Sequence, residues 1–406
     1  MKTLSKHNVQ VIYLYASTLL GSLLGFVISI VNTHFLSESD YGDVRYVQNI
    51  ATLLSWFFFW GYFYAGRRLL ALSTEEQHSR SIRGGLALML LLSVLCQVFS
   101  ILMISVLHTG RVGISHLLLM SIPVCSQPLL TSYVSVINQG DNHIGRLAIS
   151  RVLPGLLYVL LAYSIYSHYG TSSSMMILLH WGVYCVVLLG LIVSSRPSFA
   201  GLKPVFEDLQ SENRTYGRHL YFGSLAMVAT NYLAGVTLGI FNDDNVNVGY
   251  YSLALTLTTP LSYLPGIIGT AYYKQFVNEP RIPAKVFKST LLITLLSCLC
   301  FVVFIRFVVQ FFFPESYAMV GIYASYMAIG FSIHGLGDMI NHFMSSHGEG
   351  RIIRNCSYIC GIFKVSGFIL FVWLWNIEGA LLTTVLSSCI YCVLLFCGYK
   401  KVCENT

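Results

Sequence analysis

Residues 84–107 read GGLALMLLLSVLCQVFSILMISVL and carry no charged side chain. A membrane-spanning helix needs about 20 mostly apolar residues, so this segment is long enough to cross a bilayer. The whole chain shares the bias: 55% of its residues are hydrophobic, 10% are charged, and the mean hydropathy is +0.68. A soluble domain carries roughly 25% charged residues. We therefore predict a membrane protein whose outer surface faces lipid.

Eleven similar apolar runs surround this segment. They lie near residues 9–35, 43–66, 114–138, 146–166, 174–194, 219–241, 248–273, 288–312, 317–345, 355–375 and 378–399. The first run is long enough to span a bilayer, so we interpret it as a retained helix and not as a cleaved signal peptide. The sequence predicts an all-α polytopic membrane protein of about twelve transmembrane helices. We divide it into a six-helix half at 1–195, a cytoplasmic connecting loop at 196–218 and a second six-helix half at 219–406.

The basic residues alternate between the loops. Twenty of the 24 Lys and Arg residues fall in the two tails, the central loop and every second loop, whereas the opposite loops hold Arg111 beside several acids. Because basic loops stay on the cytoplasmic side of a membrane, this pattern predicts that both termini are cytoplasmic. An odd number of spans would break the alternation. The net charge of +7 therefore indicates membrane topology, and we predict no binding to nucleic acid.

The two halves also resemble each other in sequence. Loop residues recur at an offset of 207 or 208 positions, in the pairs Gly42 and Gly249, Arg67 and Lys274, Gly140 and Gly348, and Arg146 and Arg354. Because each copy has an even number of helices, both copies insert in the membrane with the same orientation. The repeat is therefore of the parallel type. Such repeats are typical of alternating-access transporters, in which the substrate site lies between the repeats.

Several short motifs carry a resemblance to a known family. A turn at Ser37-Glu38-Ser39-Asp40-Tyr41-Gly42 follows the first apolar run, and the second run ends in Gly61-Tyr62-Phe63-Tyr64-Ala65-Gly66-Arg67-Arg68. Gln139-Gly140-Asp141 follows the fourth run, and His347-Gly348-Glu349 follows the tenth. Together these motifs resemble the Wzx-type polysaccharide flippases. These are O-antigen and capsule exporters of the multidrug/oligosaccharidyl-lipid/polysaccharide (MOP) superfamily, whose fold is that of the MATE transporters.

The resemblance implies a flippase in the bacterial inner membrane. Its substrate would be an undecaprenyl-pyrophosphate-linked oligosaccharide, moved from the cytoplasmic to the periplasmic leaflet for O-antigen, lipopolysaccharide or capsule synthesis. Membrane lipids would surround it, and a polymerase and a chain-length regulator of the same pathway are implied partners. A cation or drug antiporter of the same superfamily remains an alternative. A membrane enzyme of polysaccharide assembly, such as a polymerase or an acyltransferase, is less favoured because no predicted outer loop is long enough to carry its chemistry.

Two charged residues lie deep within predicted spans. Lys364 follows the basic residue Arg354 by ten positions, about 15 Å along a helix, and Asp338 lies about 12 Å from the inner end of its helix. Charges inside a span are costly and therefore indicate function by default. We predict that Lys364 meets the diphosphate of the substrate and that Asp338 positions Lys364 or couples transport to protons. An ion pair between them that only fixes helix packing is the alternative.

Five further polar residues are candidates for substrate binding. Arg45 and Arg306 lie toward the outer ends of their spans, where a snorkelling arginine is the alternative interpretation. Three smaller side chains could hydrogen-bond sugars or simply join neighbouring helices: Asn32, His34 and Asn231.

The eleven cysteines do not indicate a metal site. Cys389 and Cys392 form a CxxC motif, but it lies in an apolar run and has no second pair. Free cysteine behaves there as a small apolar residue. We therefore predict no metal, no cofactor and no catalytic residue.

Overall fold

The structure is a computed structural model that describes residues 6–226 and 230–405. Within these ranges the regular elements are helices. The N-terminal part contains α1 (Lys6–Phe35), α2 (Glu38–Phe58), α3 (Gly61–Leu72), α4 (Glu76–Leu107), α5 (Val112–Ser121), α6 (Gln127–Gly140), α7 (Ile144–Tyr169), α8 (Ser173–Ser194), α9 (Leu202–Glu212) and α10 (Arg218–Ser224). The C-terminal part contains α11 (Thr230–Phe241), α12 (Val246–Phe276), α13 (Ala284–Phe312), α14 (Ala318–Ser346) and α15 (Gly350–Asn405).

The predicted all-α polytopic membrane fold is confirmed. Among the described residues, each of the twelve predicted runs contains helix, but several runs are broken or joined. By length and composition, seven helices in the described ranges could each cross a membrane. The second and fourth runs are interrupted, as α2 with α3 and α5 with α6, and the last two runs merge into α15, which bends sharply at Trp375 and Asn376.

The break between α2 and α3 is stabilised by side chains from other helices. The chain leaves helical geometry at Phe59 and Trp60, which frees backbone carbonyl groups inside an apolar bundle. Ser93 Oγ donates to the carbonyl of Phe58 at 2.8 Å, and the Tyr221 hydroxyl donates to the carbonyl of Phe57 at 2.7 Å. Broken helices are tolerated in membranes where such partners satisfy the freed groups.

Gln97 has a similar role at the break between α5 and α6. Its Nε2 donates to the carbonyl of Cys125 at 2.9 Å and to the carbonyl of Ala51 at 2.8 Å, and the side chain is fully buried. One amide therefore joins α4 to α2 and to the turn that precedes α6. A simple lipid-facing helix would have no role for a buried amide at the centre of an apolar run. In this protein the amide hydrogen-bonds to two other segments and so joins them to α4.

The predicted connecting loop at 196–218 contains the helix α9. Val205 and Leu209 of α9 are buried, and both lie against Gly85 of α4. Glu212 binds Arg68 of α3 at 2.5 Å. The polarity of this stretch predicted a loop. In the structure α9 is an amphipathic helix, and its one apolar face packs on α4.

Contacts divide the chain into two compact units, Met1–Tyr232 and Leu233–Thr406. The division falls within the seventh predicted run, between α10 and the body of α11, and not in the connecting segment. The α10 end of that run packs on α3, where a Cβ on Gly61 would lie 2.7 Å from the backbone nitrogen of Arg218. The boundaries 1–195, 196–218 and 219–406 stay a prediction for the functional halves.

In the C-terminal unit, α14 packs against α12, α13 and α15. Its glycines allow close contact: a Cβ on Gly335 would lie 2.7 Å from the carbonyl oxygen of Ser262 in α12. The bend in α15 has Asn376 at φ 56°, and its Oδ1 accepts from Asn242 Nδ2 at 2.6 Å. The result is a bundle organised around α14.

The helices repeat with nearly the offset found in the sequence. The starts of α2 and α12 differ by 208 positions (246 − 38), as do those of α4 and α13 (284 − 76), and the starts of α7 and α15 differ by 206 (350 − 144). The repeat is therefore a property of the helix order as well as of the loop motifs.

Replacing Gln97 with Met should destabilise the protein, because it leaves two buried carbonyl groups without their side-chain donor. The expected loss is about 1–3 kcal/mol, the cost of an unsatisfied buried group. Thermal unfolding in detergent would measure it. The control is Gln77→Met, at an exposed position near the start of the same helix. Equal melting temperatures for the two variants would contradict the role of Gln97.

Candidate functional site

A polar cluster in the C-terminal unit surrounds Asp338. The hydroxyl of Tyr391, on the second arm of α15, donates to Asp338 Oδ1 at 3.0 Å. The same hydroxyl accepts from Asn341 Nδ2 at 2.9 Å. His334 Nε2 lies 4.0 Å from Asp338 Oδ1, and its ring stacks on Tyr391 with the centroids 4.5 Å apart. One tyrosine thus connects three polar side chains of α14.

The spacing of α14 explains how the cluster forms. His334, Asp338 and Asn341 are separated by four and then three positions, which places them on one face of a helix. Gly337 lies beside this face, where a Cβ would be 2.8 Å from Cδ1 of Tyr391. The missing side chain lets the Tyr391 ring approach α14 closely enough to reach Asp338.

Lys364 lies on the first arm of α15 and is buried, with 7% of its surface exposed. Its charge acts on both Asp338 and His334. The structure therefore brings the two charged residues predicted from the sequence into one electrostatic cluster. Their direct ion pair stays a prediction. The Asp338 carboxylate also meets the Tyr391 hydroxyl and the His334 ring.

A second polar cluster, in the N-terminal unit, is centred on Tyr158. The hydroxyl of Tyr158 donates to Asn32 Oδ1 at 2.5 Å and lies 3.1 Å from the hydroxyl of Tyr166. The Tyr158 ring also packs on His180, with centroids 4.5 Å apart. Asn32 is 1% exposed, and its Nδ2 has no hydrogen-bond partner among the described residues.

Arg45 joins this cluster from α2. Its Nε donates to the Tyr41 hydroxyl at 2.9 Å, and its Nη1 donates to Gln48 Oε1 at 3.3 Å. Gln48 Nε2 in turn lies 3.4 Å from His180 Nδ1. The guanidinium is close enough for its charge to act on both His180 and Tyr158. Two predicted residues, Arg45 and Asn32, are therefore connected through a chain of side chains that spans four helices.

The other predicted residues lie outside both clusters. His34, Asn231 and Arg306 are exposed. His34 Nδ1 is 2.9 Å from the carbonyl oxygen of Ile30, one turn back on its own helix. The assignment of all seven candidates to substrate binding stays a prediction.

Several cluster members were not singled out by the sequence analysis, among them Tyr158, Tyr391, Gln48, His334 and Asn341. The chain has 26 Tyr, so a tyrosine in an apolar run carries little signal by itself. The available signal was the spacing of His334 and Asn341 around the already suspected Asp338. Among the described residues, no group of three or more His, Cys, Asp and Glu side chains is arranged to hold a metal ion.

The chain shares its fold with solved flippase and multidrug transporter structures. The chain matches a lipid II flippase, MurJ in its inward closed conformation, with a TM-score of 0.76 at 13% identity over 96% of this chain and 87% of that one. It matches an inward-facing multidrug resistance MATE transporter with a TM-score of 0.68 at 13% identity, over 95% of this chain and 96% of that one. A eukaryotic MATE transporter matches with a TM-score of 0.63 at 16% identity, over 98% of this chain and 97% of that one.

The sequence identifies the family. A model of the polysaccharide biosynthesis protein family matches residues 9–273, well over half of the chain, and the chain belongs to that family. No curated protein matches it. The predicted flippase resemblance is confirmed at this level, and the similar structures are of transporters and flippases and not of enzymes.

Replacing Tyr391 with Phe should destabilise the C-terminal unit. The change leaves Asp338 without a donor and Asn341 without an acceptor, at a cost of about 1–3 kcal/mol. Thermal unfolding of the purified protein would measure the loss, with the exposed Tyr326→Phe on the same bundle as the control. A double-mutant cycle with Asp338→Asn should show coupling, because the two residues share a hydrogen bond. Strict additivity would argue against that bond.

Proposed function

We propose that the protein is a flippase for undecaprenyl-pyrophosphate-linked oligosaccharide, the repeat unit of an O-antigen or capsule. It would carry the substrate from the cytoplasmic to the periplasmic leaflet of the bacterial inner membrane by alternating access. Membership of the polysaccharide biosynthesis family supports the glycan, and the fold shared with a lipid II flippase supports the transport of a lipid-linked molecule.

The observation that carries this proposal is the buried ammonium group of Lys364. A charged side chain within the hydrocarbon region costs several kcal/mol and is retained where it serves a function. The predicted substrate carries a diphosphate that must cross the same region. A buried lysine in the C-terminal unit supplies the opposite charge at mid-helix, 14 positions after the start of α15 (364 − 350).

The surrounding side chains suit a reversible contact. Asp338 lowers the electrostatic cost of burying Lys364 when no substrate is present. Tyr391 and His334 hold the Asp338 carboxylate in place, so Lys364 would exchange one anionic neighbour for another as the diphosphate arrives. This exchange makes binding compatible with release, which a transporter requires.

A cation or drug antiporter is the second candidate, and the MATE-like fold favours it. In that case Asp338 would bind the transported cation or a coupling ion, and Lys364 would oppose it. The two candidates differ in the charge that matters. Loss of the Lys364 charge should abolish export of an anionic substrate, whereas loss of the Asp338 charge should abolish export of a cationic one.

Replacing Lys364 with Met should abolish surface polysaccharide in cells that depend on this protein, while the protein still inserts in the membrane. Methionine keeps the length and apolar stem of the side chain and removes only the charge that we assign to the diphosphate. Glycan staining of whole cells and blotting of membranes would measure display and insertion. The control is Lys288→Met, at an exposed position near the start of α13. Full display with Lys364→Met would refute the role of Lys364.

The proposed topology has both termini in the cytoplasm. Alkaline phosphatase fused after Gly110, between α4 and α5, should be active because that loop would be periplasmic. The same enzyme fused after Ser198 or after Thr406 should be inactive. Activity at Thr406 would overturn the predicted orientation.

A further inference from the structure

We propose that the N-terminal unit contains a separate oxyanion-binding site, formed by Arg45 and Asn32 around Tyr158 and His180. Its ligand would be an anionic group of the transported molecule, either a sugar carboxylate or the diphosphate. The identity of that molecule rests on the proposed function, but the binding of an anion does not. The site is distinct from the Lys364 cluster, which lies in the C-terminal unit.

The first argument is charge. The salt bridges seen among the described residues do not include Arg45, whose contacts are with Tyr41 and Gln48. These neighbours are neutral, so the guanidinium charge in this cluster is not balanced by a carboxylate within ion-pair distance. A partly buried cation without a counterion favours an anionic ligand, because the ligand replaces the lost hydration.

The second argument is hydrogen bonding. A guanidinium has five N–H donors in a planar fork, and the bonds to Tyr41 and Gln48 use two of them. Asn32 is buried and holds the Tyr158 hydroxyl through Oδ1, while its Nδ2 is left without a partner among the described residues. An unpartnered buried donor costs about 1–3 kcal/mol. An oxyanion is the acceptor that would satisfy both groups.

The third argument is preorganisation. Asn32 is held in orientation by Tyr158, and Tyr158 is fixed in turn by Tyr166 and by the ring of His180. Gln48 ties Arg45 to His180. The donors are thus supported by side chains from α1, α2, α7 and α8, and binding an anion would need little further ordering.

The site also has a defined depth in its own unit. Asn32 lies three positions before the end of α1 and Arg45 seven positions after the start of α2, on either side of the short turn that joins them. These separations correspond to roughly 5 and 10 Å from the helix ends. In the proposed topology that turn is periplasmic, so the site would hold an anion on the exit side of the N-terminal unit.

Anion binding to the full-length protein in nanodiscs would test the proposal. The probes are inorganic pyrophosphate, glucuronate as a sugar carboxylate, and glucose as a neutral sugar, each titrated by calorimetry. Arg45→Gln should weaken binding of at least one anion about tenfold or more, the loss expected for a charge-assisted hydrogen bond. The exposed Arg351→Gln removes the same charge elsewhere and should bind as the unmodified protein does. The anion that loses affinity identifies the source of the ligand.

A second variant separates binding from folding. Asn32→Asp keeps an oxygen that accepts from Tyr158 but replaces the free Nδ2 donor with a negative charge, so it should abolish anion binding. A thermal melt of the same variant checks that it is still folded. Unchanged anion affinity in both Arg45→Gln and Asn32→Asp would overturn the site. Failure of the unmodified protein to bind either anion would also overturn it, as would a loss of affinity confined to glucose.

The proposed flippase function is tested by a separate measurement, the restoration of surface polysaccharide to a deletion strain. Anion binding that depends on Arg45, in a protein that cannot restore surface polysaccharide to a deletion strain, would retain the site and refute the proposed substrate. Restoration by a protein that does not bind anions at Arg45 would refute the site alone.

Discussion

The absence of water from the bilayer core constrains every polar group in this fold. Most buried hydroxyl groups meet that constraint within their own helix: Thr258, Thr290 and Thr294 each donate to the carbonyl group four positions earlier. Such residues need no partner elsewhere and indicate little about function. The informative polar side chains are those satisfied only by another helix, because their positions depend on the tertiary structure.

The breaks in α2–α3 and α5–α6 follow from the same constraint. A helix that stops within the apolar region frees carbonyl groups, and each break requires a donor from elsewhere. Ser93 and Gln97, four positions apart on α4, supply one donor to each break. A single face of α4 therefore stabilises two interrupted spans, and this explains why polar residues occur in a strongly apolar segment of the chain.

The sequence predicted the features that depend on charge and periodicity, and it failed where the fold depends on a distant partner. The loop charges and the 207–208 offset were sufficient for the polytopic fold and its repeat. Lys364 and Asp338 could be found because a charge in an apolar run is rare. The interruption at Phe59 and Trp60 could not be predicted, because a hydropathy window averages across it. In addition, the side chains that donate to the freed carbonyl groups, Ser93 and Tyr221, are distant in sequence. Tyr391 and Tyr158 were missed because tyrosine is abundant and becomes informative only when its neighbours are known.

The internal repeat allows the two polar clusters to be compared. Tyr158 lies 14 positions after the start of α7 (158 − 144), and Lys364 lies 14 positions after the start of α15 (364 − 350). At the 208-position offset of Arg146 and Arg354, however, Tyr158 corresponds to Ser366 and Lys364 to Leu156, so the two polar residues lie near each other in the repeat but not at matching positions. The cationic group of the N-terminal cluster is instead Arg45, which comes from α2, and its neighbours there are neutral. In the C-terminal unit the cation is accompanied by Asp338. The two polar clusters of the repeat therefore differ in net charge, and the difference arises from a few side chains on helices that follow each other at similar offsets.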